Sequence, residues 1–148
     1  HNTRYSRTIF SPDQYSGNGA LAFMAATVLF WLYLINAILL IIHEIDSAFW
    51  KEWELFKLPG GISGFLIMHI PLLFLILYGL VLVSQQSFIG LIVSLILSAG
   101  GIFAFCIHTA FIRRGRQEFN TPVSRFILTL TLGVSTVQAA VTLYILFA

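Results

Sequence analysis

Charge is scarce in this sequence, and its scarcity excludes most classes of protein at once. Only 9% of the 148 residues are Asp, Glu, Lys or Arg while 58% are hydrophobic, against about 25% charged in a typical soluble domain. Such a chain is expected in a bilayer. Cysteine is almost missing: Cys106 alone excludes an internal disulfide framework, a C-x-x-C redox pair and a zinc knuckle. It reads as a small apolar filler in a helix. A net charge of only +2, with no basic stripe carrying interleaved aromatics, argues against nucleic acid as a partner. Residues 1–19 are polar and lack the h-region and cleavage site of a signal peptide, so they read as a tail. The start at His rather than Met fits a processed, trimmed or tagged chain.

What the sequence has in quantity is long apolar runs. Four are present, at about 20–43, 61–84, 87–112 and 122–147, each near the roughly 20 residues that cross about 30 Å of hydrocarbon as a helix. No run alternates polar and apolar positions, which excludes a barrel. Only "SQQS" separates the second run from the third, which demands an antiparallel hairpin. The third and fourth are joined by "RRGRQEFNTP", ending in Thr121 and Pro122 as a cap and a first-turn proline. The predicted fold is all-α, an integral membrane four-helix up-down-up-down bundle of one domain over 20–148, with an interfacial segment at 44–60. Lys51, Lys57, Arg113, Arg114, Arg116 and Arg125 fall on one side, and Arg4 and Arg7 on the other. The positive-inside rule makes the first side cytoplasmic and both termini non-cytoplasmic, in what reads as a bacterial inner membrane.

The cytoplasmic end is where chemistry collects. Glu44, Asp46, Glu52 and Glu54 lie within "HEIDSAFWKEWELFKLPGG", directly after the first run. In the predicted topology His43, His69 and His108 sit roughly 0, 12 and 6 Å from that end of their helices. His69 is the most telling, because it stands inside "GFLIMHIPLLFLILYGL", and an ionisable group within a membrane segment marks a functional site by default. Pro71 frees a backbone carbonyl nearby. His43, Asp46 and Trp50 follow the i, i+3, i+7 spacing of one helix face, leaving Glu44 and Glu52 to meet solvent or Arg113 and Arg114. On the last helix Thr131, Ser135, Gln138 and Thr142 also share a face, as bundle packing or as the wall of a cavity.

Three imidazoles and a carboxylate from three helices are donors that suit zinc or iron. His43, Asp46, His69 and His108 are the candidate metal ligands. A bound ion would activate water, with Asp46 or Glu52, or Glu44, as general acid or base. A different reading uses His69 and His108 as axial ligands of haem b, or one of them to hold a chlorin pigment, with Gly100 and Gly101 giving the macrocycle room.

At "HEIDSAFWKEWELFKLPGG" the chain resembles small uncharacterised bacterial four-helix membrane proteins that carry an H-x-x-E-E or H-x-x-D signature at the end of the first helix. Here it is His43-Glu44-Ile45-Asp46, with Ser47 where the second Glu would stand. The resemblance implies an intramembrane enzyme or metal-binding protein, carried over at His43, Asp46, His69 and His108. Two readings follow. One is a metal-binding protein, in enzyme form a metal-dependent hydrolase or oxidoreductase, acting on a lipid or amphiphile at the cytoplasmic side, with Trp50, Trp53 and "KEWELFKLPGG" as an interfacial lid. The other is a non-catalytic accessory subunit of a larger membrane complex or homo-oligomer that carries haem or a pigment.

Overall fold

The computed structural model describes residues 17–116 and 119–147. The helices in chain order are α1 (Gly17–Phe49), α2 (Glu52–Leu55), α3 (Gly61–Ser84), α4 (Phe88–Arg113) and α5 (Pro122–Phe147). All but α2 are long and apolar enough to cross a membrane, and no strand occurs among the described residues. The protein is an all-α bundle of the integral membrane type. Trp31, Phe74, Phe103 and Phe126, one from each long helix, are exposed, an apolar surface that water would not tolerate on a monomer. The polar tail expected over 1–19 falls mostly outside the described residues, and α1 already begins at Gly17.

The first helix departs from expectation at its charged end. Instead of stopping at His43, α1 runs on to Phe49. No Gly or Pro interrupts residues 44–49, and His43 and Ser47, one turn apart, are both buried. Packing against the bundle therefore carries the helix through its charged turn. The connection that remains is 50–60, with the short α2 inside it and Lys51 and Lys57 in left-handed backbone at its bends.

Glycines decide where the helices close. At the α3–α4 hairpin, Ser87 caps α4 by accepting the Gly90 N–H at 3.0 Å, and a Cβ on Gly90 would stand 2.5 Å from the Leu82 carbonyl oxygen. Gly79 similarly leaves room for the Tyr33 hydroxyl and Val93. At this end α1, α3 and α4 are drawn together around Leu29, Tyr33, Ile76, Val83 and Val93. Toward the other end α3 stands off from α1 and α4 around a cavity lined by residues such as Phe65 and Phe103. α5 lies against α1 and α4 on one side and α3 against the same pair on the other, with no direct packing between α3 and α5.

Along α5, the polar face turns inward as its spacing requires. The Asn36 amide donates to Gln138 Oε1 at 2.8 Å, Ser135 Oγ donates to Asn36 Oδ1 at 3.1 Å, and Gln138 Nε2 donates to the Ser94 carbonyl at 3.1 Å. Ser94 and Thr142 hydroxyls meet at 2.8 Å. This network satisfies the buried amides within the bundle, where no water competes.

Candidate functional site

Where α3 parts from α1 and α4 there is a cavity of ≈ 510 Å³. Its polar groups are gathered at the charged end: His43 and Glu44 from α1, His69 from α3, His108 from α4 and Glu52 from α2. Phe56 and Leu58, on the segment that follows α2, cover that end. From there inward the lining is aliphatic or aromatic down to Tyr33, Ile76 and Val93. The cavity is therefore an amphiphile in negative, polar at one end and apolar along the rest.

The extension of α1 is what brings the histidines to one level. Counting from the helix ends, His43 lies six residues inside α1, His69 eight inside α3 and His108 five inside α4, which is roughly 9, 12 and 8 Å. The His43 and His108 rings meet edge to face with centroids 4.7 Å apart. Phe119 closes the far side of this pair, 4.0 Å from the His108 ring and 5.9 Å from that of His43. It is fully buried and holds a left-handed backbone at φ 63°.

His69 is held at both ring nitrogens. Nδ1 lies 2.6 Å from the Phe65 carbonyl and Nε2 lies 2.6 Å from Glu44 Oε2. A carbonyl can only accept, so Nδ1 carries a proton, and the second contact then needs another proton between Nε2 and the carboxylate. Glu44 and His69 are thus a short, proton-sharing pair facing the cavity. The carbonyl used is Phe65, one turn before His69, and not the one freed by Pro71. Glu44 meets His69 rather than solvent or Arg113 and Arg114, because the continued helix turns it toward α3.

His108 and Glu52 form a looser pair, with Nε2 and Oε1 3.6 Å apart. Burial pushes the Glu52 carboxyl above the usual carboxylate range. Among the described residues five further buried atoms have no hydrogen-bond partner: His43 Nδ1, Asp46 Oδ2, Ser47 Oγ, Trp50 Nε1 and His108 Nδ1. The first three come from one stripe of α1 spaced i, i+3 and i+4, Trp50 follows just beyond the helix end, and the His108 ring packs on that of His43.

Of the four residues expected to share a metal, His43 and His108 come into contact. His69 lines the same cavity with both nitrogens engaged, whereas Asp46 belongs to the stripe behind it and is not part of the lining. Among the described residues no group of three or more His, Cys, Asp or Glu is disposed to hold an ion. For the same reason His69 offers no free nitrogen to a haem iron. Gly100 and Gly101 separate in role: Gly100 lines the cavity, and Gly101 receives Ser135 and Thr131 of α5. Glu44 was anticipated as an acid or base but not as the partner of His69, because of the early helix end expected for α1. Phe119 was not anticipated, an apolar residue in a polar loop being a faint signal that only burial makes legible.

Fold and geometry together define a class: a four-helix membrane protein with a histidine and carboxylate cluster closing one end of an internal cavity. The chain belongs to a family of unknown function, DUF6713, whose model matches residues 29–145. The matched stretch includes every residue that lines the cavity. No curated protein and no solved structure matches the chain.

Proposed function

We propose that this protein binds a lipid-like amphiphile in the α1–α3–α4 cavity and exchanges protons with its head group, as a membrane enzyme of the acid–base type. The observation that carries the reading is the segregation of the cavity, with His43, Glu44, Glu52, His69 and His108 at one end and apolar side chains elsewhere. Glu52, protonated more readily than an ordinary carboxyl, is the acid, and His108 beside it is the base. The Glu44–His69 pair holds a second proton opposite. Hydrolysis of a head-group ester or amide is the reaction class that this pairing serves. In the orientation given by the basic residues, the head group faces the cytoplasmic leaflet.

A metal held by His43, Asp46, His69 and His108 would require His69 to give up either Glu44 or the Phe65 carbonyl and Asp46 to turn into the cavity, so direct proton transfer needs less rearrangement. The test is mass spectrometry of the protein purified in mild detergent, for bound lipid and for metal, with a visible spectrum. A co-purifying amphiphile that is lost in His108→Gln supports the reading. Stoichiometric zinc or iron would replace it with a metal-dependent site, and a Soret band with the accessory haem subunit.

A further inference from the structure

The shape of the cavity says more about the occupant than that it is amphiphilic. Among the described residues its polar end is lined by two carboxylates and three imidazoles, with no Lys or Arg. A phosphate or sulfate head would find no fixed cation there, whereas a hydroxyl or ester finds donors and acceptors on the histidines. The apolar part runs from Glu44 to Tyr33 on α1 and from His108 to Val93 on α4, eleven and fifteen residues, or roughly 17 and 22 Å along the helices. That is deep and closed at the bottom.

Tyr33 makes the closure. It is fully buried, its hydroxyl donates to the Ile76 carbonyl at 2.9 Å, and it occupies the space left by Gly79 beside Val93. Below it the helices are in contact around Leu29 and Val83. The side of the cavity is different. Gly100 lines it and is exposed, a Cβ there would meet nothing within 4 Å, and the neighbouring lining residues Met68, Ile96 and Phe103 are exposed as well. The cavity thus opens between α3 and α4 onto the surface that faces lipid.

We infer that the occupant is a neutral single-chain ester, of the monoacylglycerol class, that enters from the bilayer between α3 and α4 past Gly100 and whose chain length is limited by Tyr33. This rests on the amphiphile reading above and adds the substrate class, the route and the ruler. A chain within the cavity gains about 0.8 kcal/mol per CH₂ relative to water, a factor of about four in a Kd referred to the free aqueous amphiphile. At the floor that gain stops, because a further methylene has nowhere to go.

The experiment measures a homologous series of saturated monoacylglycerols, in competition with a brominated member that quenches Trp53, on full-length protein carrying Trp31→Phe and Trp50→Phe in nanodiscs. Trp53 is suited to this because it packs on the cavity residue Phe65, with ring centroids 5.4 Å apart. Affinity, referred to the free aqueous concentration of each member, should climb about fourfold per methylene and then level off. Tyr33→Leu should move the levelling point to longer chains and Val93→Phe to shorter ones. Gly100→Phe should slow association with the levelling point kept. A levelling point that neither floor variant moves overturns the ruler while leaving amphiphile binding intact. Unchanged association in Gly100→Phe overturns the lateral route. If phosphate-headed single chains bind and the neutral series does not, the head-group class is wrong. Absence of binding by both series removes the amphiphile reading itself. The two floor variants act in opposite directions, so loss of fold in one leaves the other decisive.

Discussion

α1 and α4 each face two neighbours, and the two sides of the bundle solve the problem of polar groups in a membrane differently. Against α5, small hydroxyls and amides are buried and bonded: Asn36 to Gln138, Gln138 to Ser94, Ser94 to Thr142. Against α3, the polar groups are titratable and line a cavity, and of these His43 Nδ1 and His108 Nδ1 have no partner among the described residues. Small amides and hydroxyls complete their hydrogen bonds within the bundle and exclude a ligand. Imidazoles and carboxylates at a cavity keep capacity for a guest, so polarity inside a membrane bundle marks a site only where packing leaves room.

The adjacent glycines of α4 give the sharpest way to break this comparison. Gly101→Leu forces side-chain atoms onto Ser135 and Thr131 and should destabilise the bundle by about 3 kcal/mol, the upper end of ordinary overpacking. Gly100→Leu, one residue away, points into the cavity opening and should leave stability unchanged or raise it by about 0.5–1 kcal/mol through helix propensity. Reversible unfolding in mixed micelles measures both. Equal losses would mean that the two sides pack alike.

Next in size is the effect of cutting the Glu44–His69 contact. His69→Leu leaves Glu44 partly buried without its partner, and a cost of about 1–3 kcal/mol is expected together with loss of amphiphile binding. Unchanged stability and unchanged bound lipid would remove His69 from the site. Gln138→Leu, on the other side, deletes hydrogen bonds to Asn36 and Ser94. At about 0.6 kcal/mol per bond in a membrane it should cost about 1–2 kcal/mol, with the bound lipid retained. A variant that loses lipid while remaining folded would join the two halves into one site.

The smallest effect is that of pH. Because the Glu52 pKa is raised in the folded protein, the native state binds the proton more tightly than the unfolded chain does. Its contribution is present below the ordinary carboxylate value, about 4.3, and is lost as pH rises through the folded value. Thermal unfolding against pH should therefore show a decline over that window that Glu52→Gln flattens. A slope identical in the two proteins would mean that Glu52 is solvated like a surface carboxylate.

Much of the frame was legible in advance from particular residues. The hairpin follows from the brevity of "SQQS", the start of α5 from Thr121 and Pro122, and the inward face of α5 from the spacing of Thr131, Ser135, Gln138 and Thr142. The site was legible only in its histidines. Charge at residues 44–46 reads locally as the end of a helix, and nothing local reveals that buried His43 and Ser47 hold α1 together through that turn. Glu44 was therefore placed toward solvent or an arginine, with a role as acid or base as its alternative, and Asp46 among the ligands, whereas Glu44 and not Asp46 lines the cavity.

The sequence by itself determined the membrane class, the helical architecture and the presence of ionisable groups near one end, because hydropathy, turn residues and backbone satisfaction act over a few neighbouring positions. Tertiary structure alone decided which carboxylate meets His69, that Phe119 closes the histidine pair, and that Gly100 opens a cavity while Gly101 seals a helix contact. Adjacent residues with the same local chemistry point to different helices, and only the packing of those helices assigns one to a wall and the other to a void.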